Sequence, residues 1–206
     1  MDFLIKPEPR DPRSVGIFPG SFHPVTRAHE ALAQAALREV DIVIFAMPRR
    51  FPHKRYEGVG LEQRMAIAGC VARGCPRSGA AITEGGLFID MAREARVHYP
   101  EAAIWILCGR DAAERIVGWT YDGLGIEEQL REYGLLVAAR QGEYAPPERL
   151  RERIRPLAMA PDWDALSATE VRARMESGGA WEELVPECAV EAVRETYLPS
   201  RKLRSK

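Results

Sequence analysis

The stretch Gly16-Ile17-Phe18-Pro19-Gly20-Ser21-Phe22-His23-Pro24-Val25-Thr26-Arg27-Ala28-His29 decides how the rest of the chain is read. Val15 to Phe18 form a short β-branched and aromatic run suited to a buried strand. Pro19-Gly20 interrupts it, and helical spacing begins near Thr26, with Ala31, Leu32, Ala35 and Leu37 on one face. A strand, a tight loop and a helix N-terminus bring backbone N–H groups and the positive end of the helix dipole to one place, which favours an anion. With Thr26 as N-cap, His29 falls at the third helical position. Glu is the usual capping-box residue there, but a carboxylate would repel a phosphate, whereas an imidazole N–H can donate to one. The same letters also fit an ordinary Thr cap followed by a surface or packing histidine, so the stretch by itself leaves both readings open.

Outward from it, Asp41 to Met47 is an apolar run of strand length, stopped by Pro48 and followed by a basic loop with Arg49, Arg50, His53, Lys54 and Arg55. Helical patterns follow at 61–72 and 88–97, with a short strand at 80–83 between them. Ala103 to Cys108 is the next buried strand, closed by Gly109-Arg110-Asp111. Helices are expected at 111–117, 126–132 and 147–154, strands at 135–139 and 157–160, and closing helices at 168–176, 180–184 and 187–197. This alternation predicts an α/β fold, a Rossmann-like doubly wound parallel sheet of about five or six strands with C-terminal helices. Residues 1–206 are expected to form one domain, with 1–13 as an N-terminal extension and 199–206 as a basic tail.

Composition narrows the function classes. A net charge of −1 gives no reason to propose nucleic acid or an anionic membrane surface as partner. No apolar run approaches the roughly 18 residues that span a bilayer, and Met1 to Arg13 alternates proline with charge rather than carrying a leader's apolar segment. Cys70, Cys75, Cys108 and Cys188 form no C-x-x-C pair and no metal-ligand spacing, which points to packing and a reducing cytoplasm.

Ligands of doubly wound sheets bind beyond the carboxyl ends of the strands, where the strand order reverses. Three chemistry-bearing segments fall at such ends: Gly20 to His29, His53 to Arg55, and Gly109 to Asp111. Lys54 offers a compact point charge for phosphate, although a solvated charge run reads the same. Ser167 with Glu170 makes a capping box for the helix that follows. That box leaves Thr169, Arg172 and the first-turn amides to meet a polyphosphate. Asp111 can accept from ribose hydroxyls, help place a metal, or simply cap a helix. Trp119 can stack on a ring or pack in the core.

Taken together, these residues resemble the HxGH-type nucleotidyltransferase superfamily, and most closely its nicotinate-nucleotide adenylyltransferases. The similarity runs from about residue 15 to 197. The opening stretch looks like that family's G-G-T-F-D-P-I-H-x-G-H signature, and Phe51-Pro52-His53-Lys54 its P-P-H-K loop, followed by Arg64 and Met65. Gly109-Arg110-Asp111 with Trp119 is similar to its G-x-D…W segment, and Ala139-Arg140-Gln141-Gly142 to its R-P-G turn. Ser167 to Arg172 resembles its S-S-T-x-x-R helix start, and Leu184-Val185-Pro186 with Tyr197 its closing helix. The resemblance implies transfer of AMP from ATP to nicotinate mononucleotide, with Mg²⁺ assisting and pyrophosphate leaving.

On the same resemblance, His29, Lys54 and Arg172 would be the catalytic residues. Gly20, Ser21, Phe22, Thr26, His29, Gly109, Asp111, Ser167, Thr169 and Arg172 would bind the nucleotide, and His23, Lys54, Trp119 and Arg140 the acceptor. Partners are small molecules, without nucleic acid or membrane, and a homo-oligomer is compatible by resemblance alone. No protein-held metal site is expected.

The chain departs from the pattern at four places. His23 stands where the family has Asp, Thr26 where it has the first His, and Ala28 where it has Gly. Leu87-Phe88-Ile89-Asp90-Met91 occupies the place of a more polar Y-T-I-D-T. Two alternatives follow. One keeps the chemistry with another phosphomonoester: nicotinamide mononucleotide, phosphopantetheine, or an acceptor of CTP-dependent cytidylyl transfer. The other is a catalytically weakened nucleotide-binding regulator.

Overall fold

The structure, a computed structural model, describes residues 1–50, 58–121, 123–138, 144–158 and 166–198. Its strands are β1 (Asp2–Ile5), β2 (Ser14–Pro19), β3 (Ile42–Pro48), β4 (Ser78–Thr83), β5 (Ala103–Gly109), β6 (Gly134–Ala138) and β7 (Ile154–Leu157). The helices are α1 (Arg27–Ala36), α2 (Leu61–Gly74), α3 (Phe88–His98), α4 (Arg110–Val117), α5 (Ile126–Glu132), α6 (Ala168–Ser177) and α7 (Val190–Tyr197). The strands form one seven-stranded sheet in the order β1-β4-β3-β2-β5-β6-β7. All neighbours are parallel except β1, which runs antiparallel to β4.

Two apolar layers hold the sheet between helices. Val43, Phe45 and Met47 of β3 face α1, α2, α6 and α7, while Ile42, Ile44 and Ala46 face α3, α4 and α5. Burial on both faces explains why β3 reads as a continuous apolar run rather than an alternation. Each fully buried Ile or Phe on these faces contributes about 1.5–3 kcal/mol of apolar transfer free energy. Packing is tight at Gly16 in β2, where a Cβ would lie 2.9 Å from Leu107 Cδ1. In β6, the Trp105 ring lies across Gly134 and leaves no room for one.

Three readings of the sequence are corrected. The sheet has seven strands rather than five or six, because Asp2–Ile5, read as part of an extension, pairs with β4. Four residues are too few for their alternation to register; Phe3 anchors the strand by edge contacts with His98 and Tyr99 at 5.1 and 6.2 Å. The helix expected at 147–154 is a single 3-10 turn, Glu148–Leu150, after which the chain enters β7, earlier than the strand read at 157–160. Pro156 bars a helix there, and the chain pairs with β6 (Leu135 opposite Ile154, Ala138 opposite Leu157) while Arg155 stacks 4.4 Å over the Trp105 ring. The closing helix read at 180–184 is only the 3-10 turn Glu182–Leu184, whereas the one read at 187–197 is present as the 3-10 turn Glu187–Ala189 running into α7.

The order of strands places the site. From β2 the chain winds outward through β3 to β4, then returns to β5 on the other side of β2 and winds outward again. The carboxyl ends of β2 and β5 therefore flank the point of reversal, with Ile17 opposite Ile106, and the loop after Pro19 leaves beside the start of α4.

Candidate active site

The loop from Gly20 to Thr26 is shaped by aromatic packing. Phe22, 1% exposed, turns back with φ of 41° and lays its ring over Gly20, where an added Cβ would approach Phe22 Cε1 to 2.5 Å. Phe18, Phe22 and Phe45 have centroids 5.5–5.6 Å apart. The His29 imidazole rests against two of them, at 5.3 Å from Phe22 and 5.7 Å from Phe18. Gly20 N–H donates to the Ala46 carbonyl, tying the loop to the end of β3.

Thr26 is the N-cap of α1, as its sequence position predicts. Its backbone N–H donates to His29 Nδ1 at 3.0 Å, and its Oγ1 lies 2.8 Å from the same nitrogen. This is the capping-box geometry with imidazole in place of Glu. A backbone N–H can only donate, so Nδ1 must be the acceptor nitrogen. The neutral ring then carries its proton on Nε2, as a hydrogen-bond donor. The cap reading of His29 therefore does not conflict with the anion reading, since the cap uses only Nδ1.

Two arginines hold the loop backbone. Arg64 of α2, 3% exposed, donates from Nη1 to the Ser21 carbonyl at 2.6 Å and from Nε to the Val59 carbonyl at 3.1 Å. Arg172 of α6 donates from Nη1 to the His23 carbonyl at 2.5 Å and to the Ala168 carbonyl at 3.2 Å. Its Nη2 reaches Thr169 Oγ1 at 3.2 Å, so both residues read as phosphate ligands also bond each other. The His23 ring meets α7, with Nδ1 2.7 Å from the Tyr197 hydroxyl. Burial, then the charges of Arg172 and Arg64, push the His23 pKa down to about 4, so the ring is neutral at physiological pH.

Gly20, Ser21, Phe22, His23, Thr26, His29 and Arg172 are thus brought together around one loop. Ser167 is the N-cap of α6 and its Oγ accepts from Glu170 N–H at 3.2 Å, but only this half of the expected capping box forms. The Glu170 carboxylate pairs instead with Arg174 at 2.7 Å, a better electrostatic match for an anion. Gly109 is the N-cap of α4, with Asp111 exposed in its first turn beyond the carboxyl end of β5. Trp119 is 41% exposed, just past that helix. Lys54 and Arg140 lie outside the described residues. Arg64 and Tyr197 were absent from the expected site list, although each sat in a quoted segment. Arg64 had left a signal, a charge on the helical stripe otherwise made of Met65, Ala68 and Val71.

A loop, a helix N-terminus, an imidazole and two guanidinium groups thus meet at the switch point of the α/β sheet, where such sheets bind their ligands. The sequence-family profile described as Cytidylyltransferase-like matches residues 17–174, and the chain belongs to that family of nucleotidyltransferase enzymes. "Probable nicotinate-nucleotide adenylyltransferase" of Thermus thermophilus is 31% identical over 198 residues, covering 89% of this chain and 97% of its own. Its namesake in Gloeobacter violaceus is 31% identical over 199 residues, covering 89% and 95%. Among solved structures, the Plasmodium falciparum nicotinic acid mononucleotide adenylyltransferase complexed with NaAD superimposes with a TM-score of 0.68. That match covers 90% of this chain and 97% of the other at 15% identity, a likeness of fold.

Proposed function

We propose that the protein transfers the adenylyl group of ATP to nicotinate mononucleotide and releases pyrophosphate. The observation that carries this reading is the Thr26–His29 cap at the switch point, in a chain whose full-length relatives bear that activity in their names. An oxygen of the acceptor phosphate attacks the α-phosphorus in line. The new P–O bond forms as the bond to the pyrophosphate oxygen breaks, and no protein nucleophile is needed. His29 Nε2–H donates to an α-phosphoryl oxygen, and a single preorganised donor of this kind contributes about 10²–10³ in rate. Arg172 and Lys54 neutralise the phosphates, with Ser167, Thr169 and the first-turn amides of α6 at the triphosphate end. Gly20, Ser21, Phe22 and Thr26 shape the nucleotide cradle, and Gly109 and Asp111 border it. His23, Trp119 and Arg140 meet the acceptor, Trp119 by stacking on the pyridine ring.

Among the described residues no three His, Cys, Asp or Glu side chains gather into a metal site. Mg²⁺ suits this arrangement as an ion carried largely by the substrate's own phosphates, where it neutralises charge on the triphosphate. No helix among the described residues is long and apolar enough to cross a membrane. We read the protein as a single-domain cytoplasmic enzyme of small-molecule substrates, without nucleic acid, and open to self-association.

A second acceptor class is favoured by one observation: Leu87 and Phe88 are apolar at the start of α3, with Ile89 and Met91 buried in the core beneath. Purified protein with Mg²⁺ and either ATP or CTP, offered a panel of phosphomonoesters, tests all readings by pyrophosphate release. Release with ATP and nicotinate mononucleotide is expected. Release with another ester alone reassigns the acceptor, and nucleotide binding without release across the panel makes the protein a regulator.

A further inference from the structure

The segment from Ser21 to His23 is held from three separate parts of the chain. Arg64 of α2 takes the Ser21 carbonyl, Arg172 of α6 takes the His23 carbonyl, and Tyr197 of α7 meets the His23 ring. The first two contacts fix the backbone. The third fixes a side chain that has only one strong hydrogen-bonding orientation per nitrogen. Ring centroids 5.2 Å apart at 42° leave the His23 and Tyr197 planes packed against each other, so the contact also restrains rotation of the imidazole.

We propose that Tyr197 is a positioning residue for the acceptor side of the site: its O–H donates to His23 Nδ1 and sets the tautomer in which Nε2 carries the proton. A phenol O–H is the better donor and an imidazole nitrogen the better acceptor of this pair, which gives the bond its direction. Burial raises the Tyr197 pKa and keeps the phenol protonated, against the smaller opposing pull of Arg64 and Arg172. Burial, with the same two guanidinium groups, keeps His23 neutral, so Nδ1 retains its lone pair. His23 then presents a neutral N–H donor where a carboxylate would have repelled an anionic acceptor. Helix α7 becomes part of the site. This inference rests on the reading of His23 as an acceptor contact, and it goes further by naming what orients that contact.

The test uses the full chain and three readouts. In ¹⁵N-imidazole NMR, His23 is expected to show a protonated Nε2 and an acceptor Nδ1 in the wild type, and a mixture of tautomers in Tyr197→Phe. Steady-state kinetics of Tyr197→Phe with ATP and nicotinate mononucleotide should show kcat/KM for the acceptor lowered about three- to tenfold. The KM for ATP and the melting temperature should stay essentially unchanged. In a His23→Ala background, Tyr197→Phe should have no further effect on kcat/KM, whereas a merely structural role would give additive losses. An unchanged His23 tautomer in Tyr197→Phe, or additive losses in the double variant, overturns the proposal. Should the wild type transfer nucleotide to no acceptor, the proposed function fails and the NMR comparison alone decides the Tyr197 contact.

Discussion

The Thr26 backbone N–H donates to Nδ1 of His29 at 3.0 Å, so one imidazole both closes the first turn of α1 and is left with its proton on Nε2. Removing the two halves of this arrangement should have different consequences. His29→Asn keeps an acceptor near the Thr26 amide but not the reach of Nε2. It is expected to lower kcat about 10²–10³-fold with little change in ATP binding or melting temperature. His29→Ala should add the loss of a cap, about 1 kcal/mol in denaturant unfolding, to a similar loss of turnover. Equal loss of turnover and nucleotide affinity in either variant would count against the donor role.

Gly20 lies under the Phe22 ring, which is itself wedged among Phe18, Phe45 and His29. Gly20→Ala must displace that ring rather than a flexible side-chain end. The overpacking is expected to cost about 1–3 kcal/mol in chemical denaturation. Because the displaced ring supports His29, turnover should fall with stability. A fully active, fully stable variant would show that the loop tolerates rearrangement.

Arg172 spans two carbonyls and a threonine hydroxyl with two guanidinium nitrogens, a fork that an ammonium group cannot reproduce. Arg172→Lys should keep the positive charge yet release the His23 carbonyl. The KM for ATP is expected to rise severalfold while gross folding, followed by circular dichroism, is preserved. Wild-type kinetics in this variant would mean that charge alone matters at position 172.

His23 carries a pH signature in stability. Its folded pKa of about 4 lies below the ordinary 6.5, so the unfolded chain binds this proton more readily than the native one. The stabilisation is complete above pH 6.5 and is lost as pH falls from there through 4. Because the ring is only part-buried, screening limits the effect to about 2 kcal/mol or less. His23→Asn should remove that part of the slope when melting temperature is followed between pH 4 and 7. An unchanged slope would place the titration on other groups.

Much of the site was legible because its grammar is local. The three-residue spacing from Thr26 to His29 is a helix-cap spacing, and Ser167 caps α6 in the same way. Arg64 was harder to read, since a long side chain on an apolar helical stripe signals burial but not what it will reach. Tyr197 had no local signature for contact with His23, 174 residues earlier in the chain. The Glu170 carboxylate found a partner other than the expected one: its N–H caps on Ser167, yet the nearby Arg174 guanidinium is the stronger attraction for its carboxylate.

By itself the sequence determined the elements whose information lies within a few residues: the buried strands β2, β3 and β5, the cap of α1, and the strand–loop–helix that presents His29. The tertiary structure decided what depends on partners distant in the chain. It set β7 at Ile154–Leu157, ahead of the strand read at 157–160, recruited Asp2–Ile5 to the sheet, and closed Arg64, Arg172 and Tyr197 on the loop at Ser21–His23. Propensity and capping act through neighbouring backbone groups, whereas ladder pairing and side-chain clamps exist only after the sheet has set its order and brought remote segments to hydrogen-bonding distance.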